Sequence, residues 1–497
     1  MAPGTDRFLY LLVFACGACT MGTEIAGARL LAPYFGDSTI VWANTIAVVL
    51  VALSVGYWIG GRLADRRPDL GQLCRVVLGG AVLIALVPFL ARPFLGASVD
   101  AFDRISVGGF AGSLLGVLVL LAIPVMVMGT VSPWAIRIGM ERVESSGEVA
   151  GRLYAISTAG SLVGTMISAL VTIPLLGTQR TFLLFALVVA LVAVAGAGWR
   201  WSAIPATVAV AALLPVGTIK AAGPGEVLFE AETPHQYARV VEMEDGERRL
   251  ELNEGQAIHS IWRPGEYLVG NYWDESLTLP FARADAPPKR IAILGNAAGT
   301  VARAYGHFFP ETRVDAVEID ARLSELGRQY FDMENPRMRV FDEDARPWLR
   351  RAEPGYDVIL VDAYRQPYIP FYLATREFFE LVRDRLAPGG VVLINVGHPE
   401  NSPALEQALT RTMKTALPEV MRDPVSDTNT MLAGSVKPLS AKRLARAVRS
   451  LPADLRPVAA DTASRLRPAL GGGEVWTDDH APVEWLVDLS LLEYASE

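Results

Sequence analysis

Cysteine and histidine are scarce in this chain, at three and five in 497 residues. Cys16, Cys19 and Cys74 all fall in apolar stretches and make no spaced ligand set with histidine, so a zinc site and a disulfide framework are both excluded and no metal is expected. Positive charge is short as well. Lys and Arg number 45 against 53 Asp and Glu, a net charge of −8, and no basic stripe of the kind that tracks phosphates is visible. Nucleic acid is therefore not a partner. Charge of either sign is thin before about residue 222 and crowded after it, while 51% of all residues are hydrophobic and the mean hydropathy is +0.30. Such a composition is too apolar for a wholly water-soluble protein of this length. It implies a membrane half followed by a soluble half.

Apolar runs long enough to cross about 30 Å of hydrocarbon occur near 8–30, 39–60, 74–95, 108–130, 153–175, 180–199 and 202–220. About seven helices are expected over residues 1–222. The first run continues past Gly22 through Glu24 and Arg29 to Leu30, so it reads as a retained anchor and not as a cleaved leader. Arg62, Arg66 and Arg67 follow the second run, and Arg137, Arg142 and Arg152 follow the fourth; the alternate loops hold Arg92, Arg104 and Arg180. The positive-inside rule then puts the N-terminus in the cytoplasm and, after seven crossings, the soluble half outside. The last run contains Pro205 and Pro215. If it does not cross, the soluble half is cytoplasmic. Gly160 and Gly164, four apart in the fifth run, predict close helix packing.

Residues 223–285 alternate apolar and polar positions, with Asp245-Gly246 as a hairpin turn, and predict a small antiparallel β-subdomain. Residues 286–497 change character. Strands are expected at Arg290–Leu294, Val314–Val317, Met338–Phe341, Tyr356–Val361 and Val391–Val396, with helices between them such as Arg376–Arg385. This alternation predicts a Rossmann-like α/β domain built on a mostly parallel sheet. Its first strand runs into Gly295-Asn296-Ala297-Ala298-Gly299, and the second ends at Glu318, where such folds bind a ribose hydroxyl. Further acids follow the strand ends: Asp320, then Asp342, Glu343 and Asp344, then Asp362. Carboxylates delivered to one rim suit a ligand bearing hydroxyls, amines or a sulfonium. His259 and His480 are acid/base candidates because imidazole titrates near neutrality.

The segments Ile-Leu-Gly-Asn-Ala-Ala-Gly-Thr from Ile293, Val-Asp-Ala-Val-Glu-Ile-Asp from Val314, Tyr-Asp-Val-Ile-Leu-Val-Asp-Ala-Tyr from Tyr356 and Leu-Ala-Pro-Gly-Gly-Val from Leu386 resemble the spermidine synthase family of aminopropyltransferases. The tail from Thr477 to Glu484 and the membrane-half motifs Gly61-Arg62-Leu63-Ala64-Asp65-Arg66 and Gly151-Arg152-Leu153-Tyr154-Ala155 are similar to its membrane-fused bacterial branch. The resemblance implies that Gly295, Asn296, Gly299, Glu318 and Asp320 hold decarboxylated S-adenosylmethionine or S-adenosylmethionine, with Asp344 and Ala345 at the adenine. It makes Asp362 the catalytic aspartate, with Asp344, Glu318 and His480 as further catalytic candidates. Gln236, Tyr237, His259, Tyr267, Tyr272, Tyr364, Arg365 and Asp478 would surround the acceptor. Two departures stand out: the loop lacks the family's acid, and Arg365 stands near where a second carboxylate would bind a polyamine. A cation there repels a polyamine.

Three readings follow. The first is a membrane-tethered, spermidine synthase-like transferase using an S-adenosyl donor on a non-polyamine or membrane-associated acceptor. A second is an extracytoplasmic enzyme of the same fold doing acid/base chemistry on an envelope glycan or lipid without that donor. The third is a non-enzymatic binding or transport module. In each the partners are the bilayer and a small-molecule, glycan or lipid ligand; a homo-oligomer is compatible with the sequence and not specified by it.

Overall fold

A computed structural model describes residues 3–35, 39–105, 109–140, 146–214, 219, 225–253, 258–364, 368–398 and 402–487. The chain divides into two compact units, Met1–Ala221 and Ala222–Glu497.

The first unit is all helical: α1 (Pro3–Phe35), α2 (Thr39–Arg66), α3 (Leu70–Ile105), α4 (Gly109–Leu120), α5 (Ala122–Gly129), α6 (Val131–Gly139), α7 (Ser146–Ile167), a π-helical turn (Ser168–Thr172), α8 (Ile173–Leu176), α9 (Thr178–Ala197) and α10 (Ala203–Leu213). Among the described residues six segments are long and apolar enough to cross a membrane: Asp6–Phe35, Val41–Arg66, Leu70–Leu95, Ala122–Gly139, Ser146–Leu176 and Thr178–Ala197. Glycine sets the closest approach between them. A Cβ on Gly160 or Gly164 would collide with the carbonyl oxygens of Phe14 and Ala18, so α7 lies directly on the backbone of α1. Without a hydrophobic driving force between helices in lipid, such small-residue contact is what holds them together.

The seventh apolar run differs from a full helical span. It forms α10, an 11-residue helix of about 16 Å, which stops at Leu213 because Leu214 is extended. Two described residues flank it. Gly196, just before it, packs against Phe8 and Cys74 at the start of α1 and α3. Ile219, at its far end, accepts a hydrogen bond of 3.0 Å from the Tyr34 hydroxyl at the end of α1.

The second unit opens with a four-stranded antiparallel sheet, β1 (Glu226–Glu232), β2 (Tyr237–Glu242), β3 (Arg248–Leu252) and β4 (Ile258–Trp262), in sequential order. Gly246, at φ +81°, makes the turn between β2 and β3. After α11 (Tyr272–Thr278) come β5 (Arg290–Leu294), α12 (Thr300–Phe308), β6 (Arg313–Glu318), α13 (Ala321–Tyr330), β7 (Met338–Asp342), α14 (Ala345–Arg351), β8 (Tyr356–Val361), α15 (Arg376–Arg385), β9 (Leu386–Gly397), α16 (Ala404–Met413), β10 (Glu419–Pro424), β11 (Asn429–Ser435), α17 (Ala441–Ala447), α18 (Leu455–Arg465) and β12 (Arg467–Pro468). They build an eight-stranded sheet in the order β12-β10-β11-β9-β8-β5-β6-β7. The strands β9, β8, β5, β6 and β7 are parallel, and β10, β11 and β12 extend the sheet antiparallel. Parallel strands are covered on both faces, which is why β5 and β8 read as continuous Val, Ile, Leu and Ala runs. This is the Rossmann-like arrangement the alternation predicts, and it brings the ends of β9, β8, β5, β6 and β7 to a single rim.

Candidate functional site

The rim is assembled by backbone hydrogen bonds between neighbouring strand ends. The amides of Gly295 and Asn296 donate to the Val317 carbonyl at 2.9 and 3.0 Å, and the Asp362 amide donates to that of Leu294 at 2.9 Å. Gly295 has φ +91°, and a Cβ there would stand 2.5 Å from the Cα of Ala363 and 2.6 Å from the Asp362 carbonyl oxygen. Only glycine lets the loop after β5 pass this close to the residues after β8. Gly299, also at φ +91°, starts α12 and packs against Met333.

Glu318 closes the loop from the other side. Its Oε2 accepts the Ala297 amide at 2.8 Å, which holds Ala297 at an unusual φ of +47°, and its Oε1 accepts the Asp320 amide at 3.0 Å. Burial pushes the Glu318 carboxyl up to about 7 in spite of those donors. Asn296 is buried, its amide nitrogen lies 3.3 Å from the Met333 sulfur, and its Oδ1 has no hydrogen-bond partner among the described residues. Asp320 caps α13 and accepts the Thr233 hydroxyl at 2.5 Å, which ties the turn before β2 to the rim. Asp344 caps α14 and accepts the Tyr372 hydroxyl at 2.9 Å; Ala345 is buried behind it.

Asp362 has the most heavily bonded side chain on the rim. Its Oδ2 accepts the Trp273 indole N–H at 2.9 Å and the Tyr272 hydroxyl at 3.3 Å, and its Oδ1 accepts the Asn395 amide at 3.2 Å. Asn395 is oriented by Asn429, which donates to its Oδ1 at 2.7 Å. Tyr364 accepts the Gly397 amide at 2.8 Å and donates to the Asn395 carbonyl at 2.9 Å, fixing the end of β9. Burial pushes the Asp362 carboxyl up to about 7, the three donors pulling the other way, and it pushes the Tyr272 hydroxyl up as well. A carboxyl that ionises near neutrality at a strand-end rim has the properties of a general base.

The helix α11 supplies two of those donors, and its position is over-determined. Asn271 caps it, and Asp274 folds back to accept the amides of Val269 and Gly270 at 3.1 and 2.8 Å. On its far side Glu275 meets Arg465 at 2.9 Å, and Arg465 in turn meets the buried Asp423 at 2.8 Å.

The structure thus brings together Gly295, Asn296, Gly299, Glu318, Asp320, Asp344, Asp362, Tyr272 and Tyr364 on the connected strand ends and their partners. Other candidates are engaged elsewhere. Asp478 is clamped by both Arg346 terminal nitrogens, at 2.8 and 2.7 Å, which holds its carboxyl below the usual carboxylate range and anchors the tail on α14. Tyr267 stacks on His307 at 3.8 Å with Arg303 over its other side, 4.3 Å from the ring. Tyr237 donates to Glu230, and the Gln236 carbonyl closes a turn with Thr233. His259 is held neutral because burial pushes it down to about 4, while His480 is exposed on a turn with Thr477. Arg365 lies outside the described residues. Sequence reasoning missed Trp273, Asn395 and Asn429. One signal was present: Asn395 interrupts the apolar run Val391–Val396 of a buried strand, where a polar side chain needs a partner.

Residues 277–442 match the Spermine/spermidine synthase domain. The chain therefore carries a domain of the spermidine synthase family. Its second unit is accordingly a spermidine synthase-like transferase domain. A probable polyamine aminopropyl transferase of Bifidobacterium longum is 34% identical over 186 residues, which are 37% of this chain and 41% of that protein. Polyamine aminopropyltransferase 2 of Ralstonia nicotianae is 24% identical over 447 residues, 83% of this chain and 82% of the relative, so this similarity extends into the helical unit. A crystal structure of a probable spermidine synthase from Corynebacterium glutamicum covers 50% of this chain and 96% of its own, at 22% identity and a TM-score of 0.39.

Proposed function

We propose that the chain is a membrane-tethered transferase that moves an alkyl group from an S-adenosyl donor to an acceptor other than a polyamine. The observation that carries the reading is Asp362, held as a base of near-neutral pKa where the glycine loop, Glu318 and α11 meet. The residues present fit a donor nucleoside. Glu318 has one lone pair left on each oxygen for a ribose diol after accepting two amides. Asp344 likewise keeps one on each oxygen for the adenine amino group, and the unpaired Oδ1 of Asn296 is a further acceptor. Bound there, S-adenosylmethionine or its decarboxylated form supplies a sulfonium-activated carbon. Asp362 orients the acceptor and takes its proton. Arg365 falls in the sequence near where the family carries a second carboxylate for a polyamine, and a cation there argues against a polyamine acceptor.

The test is donor binding by calorimetry to the detergent-solubilised full chain, followed by transfer assays with labelled donor. Asp362→Asn is expected to keep donor binding and to lower transfer by roughly 10²–10⁴-fold, the usual worth of a general base. In the parent chain the rate should rise with pH through about 7 as Asp362 ionises. Failure of either S-adenosyl compound to bind removes the reading.

One observation favours a second reading. The Tyr34–Ile219 hydrogen bond carries the chain to the end of the helical unit opposite Phe8 and Cys74. With a cytoplasmic N-terminus, as the arginine loops favour, a crossing by the seventh apolar run would put the second unit outside the cytoplasm, away from the cytosolic S-adenosyl pool. In that reading the same rim performs acid/base chemistry on an envelope glycan or lipid without the donor. Access of a membrane-impermeant thiol reagent to a cysteine placed at the C-terminus separates the two. Labelling in intact cells supports the second, and labelling only after lysis restores the first.

A further inference from the structure

A groove lies between α2, α4 and α5 on the exposed side of the helical unit. It encloses about 350 Å³, a volume in the range of ligand sites. Its walls are apolar throughout, with Ala47, Val51 and Val55 from α2, Leu118 from α4, and Ile123 and Met126 from α5. Its mouth is open, Val51 being 64% and Ile123 55% exposed. Both α2 and α5 belong to segments long and apolar enough to cross a membrane, so the medium at that mouth is hydrocarbon and not water.

The same face of α2 ends in a cation. Val48, Val51, Val55, Trp58 and Arg62 follow one another at steps of three and four residues, which aligns them along one side of the helix. The Arg62 guanidinium lies over the Trp58 ring, 3.8 Å from its centroid. With the rise of an α-helix, Arg62 stands about 10 Å along the axis from Val55 and about 22 Å from Ala47. Tryptophan and arginine at the end of a span mark the level of the lipid headgroups. Among the described residues no carboxylate pairs with Arg62, and Asp65, in the next turn, is engaged by Arg137 at 3.5 Å.

We propose that this face binds an anionic phospholipid of the bilayer, with its phosphate against Arg62 and the end of one acyl chain in the groove. Stacking on Trp58 occupies a flat face of the guanidinium and leaves its N–H edge for phosphate oxygens, which it meets two at a time. A zwitterionic lipid brings its own cation and gains less from Arg62. A second copy of the chain suits the face poorly. Helices in lipid associate through small residues, and those of α2 are already used within the unit: a Cβ on Gly56 would stand 2.2 Å from the Met126 carbonyl oxygen, and one on Gly60 2.6 Å from the Thr130 Cα. What α2 exposes is Leu50, Val51, Val55 and Trp58. The site makes no use of Asp362 and is independent of the transferase reading.

Titration of the delipidated full chain in detergent, read by native mass spectrometry, compares dioleoyl phosphatidylglycerol with dioleoyl phosphatidylcholine. The first is expected to bind about five-fold more tightly, the worth of one basic residue at an anionic surface. Arg62→Gln should bring that ratio close to one. Ala47→Phe fills the groove from its open side and should weaken both lipids by about three-fold or more through lost contacts. Where that variant does not fold, Ile123→Trp blocks the same mouth from α5. Leu162→Phe, on the exposed side of α7 and outside the groove, should change neither affinity. Equal binding of the two lipids, a ratio unmoved by Arg62→Gln, or folded groove variants that bind as the parent does overturns the proposal. So does a dimer in sedimentation that Ala47→Phe splits into monomers, since the groove would then hold a second copy.

Discussion

At pH 8 Asp362→Asn is expected to melt at a higher temperature than the parent chain, and at pH 4 to melt close to it. Burial moves the folded Asp362 carboxyl from its ordinary 3.8 to about 7, so between those values the folded state holds a proton that the unfolded state releases. Stability then falls as pH rises from about 4 to about 7 and levels off above. A shift of that size corresponds to at most about 4 kcal/mol, or roughly 5–10 °C for a unit of this length. Asparagine cannot ionise and escapes the loss. Its amide is accommodated if Asn395 turns over to present its oxygen, with Asn429 turning in the same sense. Calorimetric scans at the two pH values decide the matter: a variant destabilised at pH 8, or shifted equally at both, contradicts the placement of Asp362. Higher stability combined with lost transfer is the signature of a residue kept for chemistry at a cost to the fold.

The acids of the rim were legible because an alternating α/β chain must deliver its strand ends to one edge, and Glu318, Asp344 and Asp362 each stand at or just after such an end. Of the groups that bond Asp362, Tyr272 was among the candidates, whereas Trp273 and Asn395 were not legible. Trp273 is 89 residues away and Asn395 33 residues away in the chain, and only the parallel pairing of β8 with β9 and the lie of α11 bring them together. Asp478 shows the converse. As an acid in a family-like tail it reads as a substrate ligand, yet Arg346 bonds both its oxygens. Hydropathy met its own limit at residues 202–220. It reported an apolar run of crossing length but not that the helix ends at Leu213, since an apolar window has no term for where the backbone leaves the α-conformation. The antiparallel edge formed by β10, β11 and β12 also went unread, because those strands interrupt the βα alternation on which the prediction rested.

Gly295→Ala tests whether the rim is as tightly assembled as the geometry requires. The new methyl would stand 2.5–2.6 Å from backbone atoms of Asp362 and Ala363, which have no rotamer to yield with. At φ +91° an L-residue adds strain of about 1–3 kcal/mol, and overpacking against backbone adds about 1–3 more. The expected cost is therefore about 2–6 kcal/mol, along with loss of transfer, because relief can come only by moving Asp362 away from Trp273 and Asn395. Gly246→Ala is the control. Gly246 has a similar φ of +81° but nothing within 4 Å of the added carbon, so it carries strain without overlap and should cost about 1–2 kcal/mol. Urea titration of both variants reads the difference directly. Equal costs would mean that the loop after β5 and the residues after β8 do not touch, and the base would then have to be sought elsewhere on the rim. A Gly295→Ala chain that unfolds early, beside a Gly246→Ala chain that still transfers, would show that the glycine is kept for the approach of the two strand ends and not for the turn.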